Sequence, residues 1–276
     1  MKVLISGSNG YVGRHVTNLF KESGAEVYLY GRERSAILCP EGIYEECSKF
    51  EGDFDVVINC ARPHWSEYSP SEIANIESKL LLKLDGLAKA GATKIHTSGV
   101  WLFGKANYDE LRGFKLKPLS VVEPDVTTIE RALRRKWHVV YCPSLVYGGD
   151  NCQLRRIVET LNGSLSVATP TQGHNQYIHV EDIARFYLCL VQNQTDTKQH
   201  FIAEKEGFTP ENFARLLLKV GWIKKIKNMN WEEFEAQFGS SATEIERLNL
   251  DLPVSSLFKP TSTLRHYIQP SLSNQP

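Results

Sequence analysis

No charge of either sign predominates in this chain: 32 Lys and Arg stand against 32 Asp and Glu over 276 residues, a formal net charge of zero. Without a basic surplus there is no strong field to draw in nucleic acid or an anionic membrane, and neither is expected as a partner. No stretch approaches the roughly 18 apolar residues of a membrane span. The N-terminus turns polar at Ser6-Gly7-Ser8-Asn9 after only a few apolar residues, so an ordinary signal peptide is not expected either. The six cysteines form no CxxC pair and have no regular spacing. Cys60 and Cys142 end apolar runs that read as buried strands, where a free thiol behaves as a small hydrophobe. A reducing cytoplasm is the expected location, and no metal site is expected. Internal repeats and low-complexity segments are missing too.

What is present is an ordinary globular composition, 42% hydrophobic and 23% charged, enough to bury a real core in one large α/β domain or a domain with a smaller appendage. A first strand at Lys2-Val3-Leu4-Ile5 runs into glycines and then an amphipathic helix from about Tyr11 to Lys21. A second strand at Glu26–Tyr30 completes a βαβ unit. Further strands are predicted at Asp55–Asn59, Lys94–Thr97 and Trp137–Tyr141, separated by helical patterns near Ser71–Ala90 and Thr127–Arg135. That alternation predicts a doubly wound parallel sheet of Rossmann type with helices on both faces. Beyond Gly149 the pattern becomes helix-rich, near Glu181–Gln192, Pro210–Val220 and Trp231–Phe238, with a short strand at Gln199–Ala203. The expected division is a nucleotide-binding domain over 1–150, a small helix-rich C-terminal cap over 151–268 whose strand and helices partly rejoin the core, and a tail over 269–276.

The loop Gly7-Ser8-Asn9-Gly10-Tyr11-Val12-Gly13 is a GxxGxxG that follows a strand and opens a helix. In that context one glycine allows the tight turn, another lets backbone approach a pyrophosphate and the third lets the helix pack, with helix N-terminal amides facing the anion. The alternative is a tight turn with no ligand. At the end of the second strand, where an acid would hold the ribose hydroxyls of NAD, the sequence is Gly31-Arg32-Glu33-Arg34. A guanidinium at Arg32 or Arg34 suits a 2′-phosphate, so NADP(H) is expected over NAD(H), unless the cluster is a solvated turn.

Several separate segments carry a family resemblance. Val57-Ile58-Asn59-Cys60-Ala61 is similar to a strand whose end lies under the cofactor, and Asn75 sits in the helix that follows. Thr97-Ser98-Gly99-Val100-Trp101-Leu102-Phe103-Gly104 is similar to TSSxxVYG, Pro143-Ser144-Leu145-Val146-Tyr147-Gly148 to RPxxVYG, and Tyr177–Ala184 to FIHVDDVA. Over about residues 1–260 the chain resembles the extended short-chain dehydrogenase/reductase family, the NAD-dependent epimerase/dehydratase group with its atypical members. The resemblance implies an NAD(P)-binding Rossmann fold and a small-molecule substrate. It also implies cofactor contacts from Cys60, Ala61, Arg62 and Pro143 besides the glycine loop, and a two-fold helical dimer for which the helices near Ser71–Ala90 and Thr127–Arg135 would serve, although an intrachain sheet would use them equally well.

The chemistry departs from that family. Its reaction uses a Tyr four residues before a Lys, the ammonium lowering the phenol's pKa so that it exchanges a proton with a carbonyl oxygen. Anchored on Glu130-Arg131-Ala132, the alignment puts Val122 and Val126 in those places, and Gly99 in the place of a positioning Ser, beside Ser98 and Thr97. Cys142 stands for the arginine of RPxxVYG. The substitutes in view are Thr97 and Ser98, Tyr108 in Tyr108-Asp109-Glu110-Leu111-Arg112, read as a loop, and His64, expected to face the cleft at the carboxyl edge of the sheet. Each has an ordinary reading as well, a surface tyrosine or a substrate-contacting or structural histidine. His174, Gln176 and Tyr177 fall in a loop that family members use against substrate, His179 holds backbone, and Trp231-Glu232-Glu233-Phe234 reads as cap core. Two functions from different classes follow: an NADP(H)-binding oxidoreductase or epimerase-like enzyme with non-standard catalytic residues, and a catalytically inactive NADP(H) sensor or scaffold.

Overall fold

The computed structural model describes residues 1–31, 35–193 and 195–269. Along the chain run β1 (Lys2–Ser6), α1 (Tyr11–Glu22), β2 (Glu26–Gly31), β3 (Ala36–Leu38), β4 (Tyr44–Glu46), β5 (Phe54–Asn59), α2 (Pro70–Leu87), β6 (Ala88–Gly99), α3 (Tyr108–Arg112), α4 (Val126–Arg134) and β7 (His138–Cys142). There follow β8 (Val146–Tyr147), α5 (Gln153–Thr160), β9 (Ser164–Ala168), β10 (Asn175–Gln176), β11 (Ile178–His179), α6 (Val180–Gln192) and β12 (Gln199–Phe201). The last elements are β13 (Gly207–Phe208), α7 (Pro210–Lys219), β14 (Lys225–Met229), α8 (Trp231–Glu246) and α9 (Leu264–Ile268).

The described residues form two compact units, those within 1–99, 122–141 and 183–200 making the first and those within 100–121, 142–182 and 201–269 the second. The first is built on the main sheet, ordered β12-β7-β6-β5-β1-β2-β3-β4. Within it β1 pairs with β2 and β5, and β5 with β6, all parallel. Val3, Leu4, Ile5, Val57 and Ile58 are completely buried, as strands covered by helices on both faces must be, which is why these runs read as continuously apolar. Because the chain steps from β1 to β2 on one side and then to β5 on the other, the strand order reverses between β1 and β5. A crevice opens there beyond the strand ends.

Three features differ from the sequence expectation. The antiparallel ribbon β3–β4, which extends the sheet beyond β2, was not foreseen, because three-residue strands carry too little alternation to register as a period. Tyr108 does not lie in a loop but opens the five-residue helix α3, where Asn107 and Glu110 form a capping box that satisfies the first amides. The helix expected to end near Phe238 continues to Glu246 across a kink at Gly239 (φ 83°).

The second unit holds three two-stranded pieces: β8 with β11 and β9 with β14 in parallel, and β10 with β13 antiparallel. Its core gathers Tyr147, Leu154, Tyr177, Phe208, Leu217 and Leu264. His179 of the FIHVDDVA-like segment accepts the Glu181 amide on Nδ1 at 3.3 Å, a backbone-holding role.

At one end of the main sheet two buried histidines, His138 on β7 and His200 on β12, stack with ring centroids 5.4 Å apart. Lys198 Nζ lies 3.0 Å from His138 Nε2, and His138 Nδ1 lies 3.2 Å from His200 Nε2. An ammonium only donates, so His138 carries its proton on Nδ1 and passes it toward His200. Burial pushes both imidazoles down to about 4, well below the ordinary value of about 6.5. The unfolded chain therefore takes up protons that the folded chain refuses, and stability should fall as the pH drops below about 6.5 and continue falling to about 4. Urea midpoints measured across that window should show this decline, with a shallower slope in a His138→Gln/His200→Gln variant.

Candidate functional site

The turn between β1 and α1 sits at the mouth of the crevice. Gly7 has φ 80°, and a Cβ there would lie 2.5 Å from the Ala61 nitrogen and 2.6 Å from the Cys60 carbonyl carbon; the loop is pressed onto the chain leaving β5. A Cβ at Gly13 would lie 2.1 Å from the Gly7 oxygen, so the third glycine lets the first turn of α1 pack on the loop itself. Gly10 is different. It is the N-cap of α1 with extended backbone, φ −73° and ψ 167°, and a Cβ would meet only the Gly7 oxygen at 3.2 Å. A side chain there needs the Gly7 carbonyl to give by only a few tenths of an ångström, far less than Gly7 or Gly13 would demand.

A cleft of about 390 Å³ opens over this loop, lined by residues 6–10, by Tyr30 and Gly31 of β2, by Tyr44 of β4, and by residues 60–62. The first-turn amides of α1 have no acceptor within the helix, and its N-cap, Gly10, has no side chain to offer one. They and the helix dipole offer partial positive charge at the cleft wall, the chemistry an anion needs. Of the cofactor contacts expected from sequence, Gly7, Ser8, Asn9, Gly10, Cys60, Ala61 and Arg62 line this cleft. Tyr11, Val12 and Gly13 form the first turn of α1 behind it. Arg32 and Arg34 lie outside the described residues, and Pro143 follows β7 in the second unit.

The cleft wall beyond β5 holds an ionic cluster. One guanidinium nitrogen of Arg62 donates to Glu77 at 2.9 Å and another to Asp125 at 2.5 Å. The Arg62 side chain is 43% exposed, the Glu77 carboxylate only 3% and the Asp125 carboxylate 6%. Burial pushes Glu77 up to about 7 although Arg62 pulls it down, and burial likewise raises Asp125. Beneath them, Asn59 Nδ2 donates to His96 Nδ1 at 3.2 Å, while Asn59 Oδ1 accepts the Ala61 amide at 3.1 Å. Burial holds His96 neutral, down to about 3, and its Nε2 is buried with no hydrogen-bond partner.

The catalytic candidates scatter. Thr97, on β6, accepts the Tyr187 hydroxyl at 2.7 Å and donates to Cys60 Sγ at 3.5 Å, so a buried phenol is tied through it to the cleft wall. Ser98 follows it, half-buried near the end of β6. His64 lies on an exposed turn, its Nδ1 2.6 Å from Ser66 Oγ, and is not part of the cleft lining. Tyr108 is exposed on α3 in the second unit. Val122 is buried in a 3₁₀ turn and Val126 opens α4. The ionisable group that this turn brings inward is Asp125, directly before Val126.

Glu77, Asp125 and Tyr187 were missed from sequence. For Glu77 a signal existed: α2 buries Ile73, Ala74, Leu80, Leu81 and Leu84 along one stripe, and Glu77 stands on that stripe, where an acid has to find a partner. Asn75, singled out by resemblance, is exposed two residues earlier.

The NAD dependent epimerase/dehydratase family model matches residues 3–113. CDP-abequose synthase of Yersinia pseudotuberculosis is 24% identical over 254 residues, 83% of this chain and 86% of that protein. Among solved structures, the UDP-glucose 4-epimerase of Thermotoga maritima with UDP-glucose has a TM-score of 0.72 at 17% identity, covering 97% of this chain and 96% of its own. A human epimerase family protein with NADPH has a TM-score of 0.69 at 17% identity, covering 91% and 90%. Residues 3–113 thus match the model of the NAD dependent epimerase/dehydratase family, and the chain as a whole has the Rossmann-type fold of these structures.

Proposed function

We propose that this chain is an NADP(H)-dependent enzyme acting on a nucleotide-linked sugar, with proton chemistry carried by groups other than a Tyr-x-x-x-Lys pair. The observation that carries the reading is the glycine loop pressed onto the end of β5, which leaves Gly10 and the first-turn amides of α1 facing an open cleft. That arrangement fits a dinucleotide: the amides and residues 7–10 would hold its pyrophosphate, and the wall formed by residues 60–62 would lie along it. When bound, the nicotinamide supplies or accepts a hydride. The sugar-nucleotide substrate class is supported by the synthase relative and by the UDP-glucose-bound epimerase structure, and the cofactor by the NADPH-bound human structure. A reducing, cytoplasmic setting suits the six cysteines, none of which forms a disulfide.

The second reading, an inactive NADP(H) sensor, is favoured by the aliphatic side chains of Val122 and Val126. Proton assistance from a positioned acid is worth about 10²–10⁴-fold in rate, so an enzyme that has lost the pair needs another donor. Tyr187, tied through Thr97 to Cys60 at the cleft wall, is one available proton source.

Cofactor choice is testable at once. A charge-assisted contact to a 2′-phosphate contributes about 1.5–3 kcal/mol, so NADPH should bind at least about tenfold more tightly than NADH. An Arg32→Ala/Arg34→Ala variant should bind the two alike. Calorimetry with both nucleotides reads this, and equal wild-type affinities would remove the arginine assignment.

A further inference from the structure

We propose that Arg62, Glu77 and Asp125 form a proton-linked receptor for an anionic phosphate group: an anion entering the cleft pairs with Arg62, which lines it, and one of the two buried carboxylates takes up a proton to balance the charge. The inference deepens the proposed function and rests on its placing a dinucleotide in this cleft.

The geometry supplies each part. One cation is shared by two carboxylates, so the cluster with both acids ionised has a charge of −1, and with one protonated it is neutral. Both carboxylates are shut away from water, while the Arg62 side chain is partly exposed and lines the cleft beside the glycine loop. An arriving phosphate therefore meets Arg62 first and adds negative potential next to acids that have no solvent to screen it. Such a neighbour favours the protonated carboxyl. Among the described residues, the charged and titratable groups that act on the cluster are Arg62 after β5, Glu77 on α2, Asp125 before α4 and His96 on β6, which burial keeps neutral. Glu77, already at about 7, is the acid that changes state most readily near neutrality. The step moves one proton from solvent or buffer to a carboxylate oxygen. No bond between heavy atoms is made or broken.

Two consequences separate this receptor from a static arginine contact. Binding draws protons from solution, so the affinity for a dinucleotide falls as the pH rises, by at most about tenfold per pH unit for one linked proton. Glu77→Gln, a permanent stand-in for the protonated acid, should bind more tightly than wild type at about pH 8 and lose the slope.

The experiment is calorimetry of NAD⁺, whose pyrophosphate diester does not titrate near neutrality, on the full chain in two buffers of different ionisation enthalpy between about pH 6 and pH 8. Wild type should show proton uptake and a falling affinity, and Glu77→Gln should show neither. Asp125→Asn gives a second route if Glu77→Gln does not fold, with reduced uptake expected. Wild-type binding with equal heats in both buffers and a flat pH profile overturns the receptor, as does a slope unchanged in Glu77→Gln. Absence of any dinucleotide binding overturns the proposed function instead. Inorganic pyrophosphate then replaces the dinucleotide, and uptake that Glu77→Gln abolishes supports the receptor, whereas no binding, or binding with the same uptake in both proteins, overturns it.

Discussion

Replacing Gly10 with valine should lower the affinity for NADP(H) at least about 100-fold and leave the chain folded, while the same substitution at Gly13 should cost the fold itself. The two glycines stand three residues apart in one motif, yet the structure gives them different work. At Gly10 the backbone is extended, and an added Cβ meets only the Gly7 oxygen at 3.2 Å, so a branched side chain projects into the cleft and displaces the pyrophosphate from the helix amides. Losing two charge-assisted contacts of about 1.5–3 kcal/mol each gives the stated factor or more. At Gly13 the Cβ would lie 2.1 Å from the Gly7 oxygen. Backbone must move to make room, and a penalty of at least about 3 kcal/mol follows, at the upper end of ordinary overpacking costs. Circular dichroism and urea midpoints separate the two outcomes. A folded Gly10→Val protein that still binds would mean that the glycine serves only the turn.

Removing the guanidinium of Arg62 should be the most destabilising change at the cleft wall outside the glycine loop. Arg62→Met strands Glu77 and Asp125 in a buried site with no cation. Leaving buried charge unpaired costs about 3–5 kcal/mol, and the lower end applies here because the guanidinium is partly open to water. The pH dependence gives the loss its signature. Glu77 sits at about 7 in the folded chain against about 4.3 in an unfolded one, so the stability it contributes is complete below about 4.3 and declines as the pH rises toward 7. In Arg62→Met the offsetting cation is gone and that decline should steepen, so the variant should approach wild-type stability in mild acid and fall away at neutral pH. Urea midpoints at about pH 5 and about pH 8 test this. A deficit equal at both values would assign the loss to packing and not to stranded carboxylates.

The parts of the molecule legible in the sequence are those that long, regular signals encode. The βαβ opening, the buried runs of β1, β5 and β7, and the glycine loop each follow from local physics: continuous apolar runs for strands covered on both faces, helical periodicity, and glycines where backbone approaches backbone. The ribbon β3–β4 was hidden because its strands are three residues each. The Arg62–Glu77–Asp125 cluster was hidden for another reason. Its members are 15 and 63 residues apart in the chain, and only the packing of α2 and the start of α4 against the end of β5 makes them neighbours. The acid on the apolar stripe of α2 announced that a partner existed without saying which. His64 illustrates the converse: its place after β5 suggested the cleft, but it begins an exposed turn and its ring closes onto Ser66.

The dinucleotide cleft is proposed to serve chemistry on a nucleotide-linked sugar. That role is tested most directly by incubating the protein with NADP(H) and a set of CDP- and UDP-linked hexoses and 4-keto-hexoses, and following the sugar by NMR. At least one sugar should be reduced, epimerised or dehydrated, only when NADP(H) is present, and Gly10→Val should abolish the change. Saturating, tight NADP(H) binding with every sugar returned unaltered would contradict that role and leave the inactive sensor as the reading of this fold.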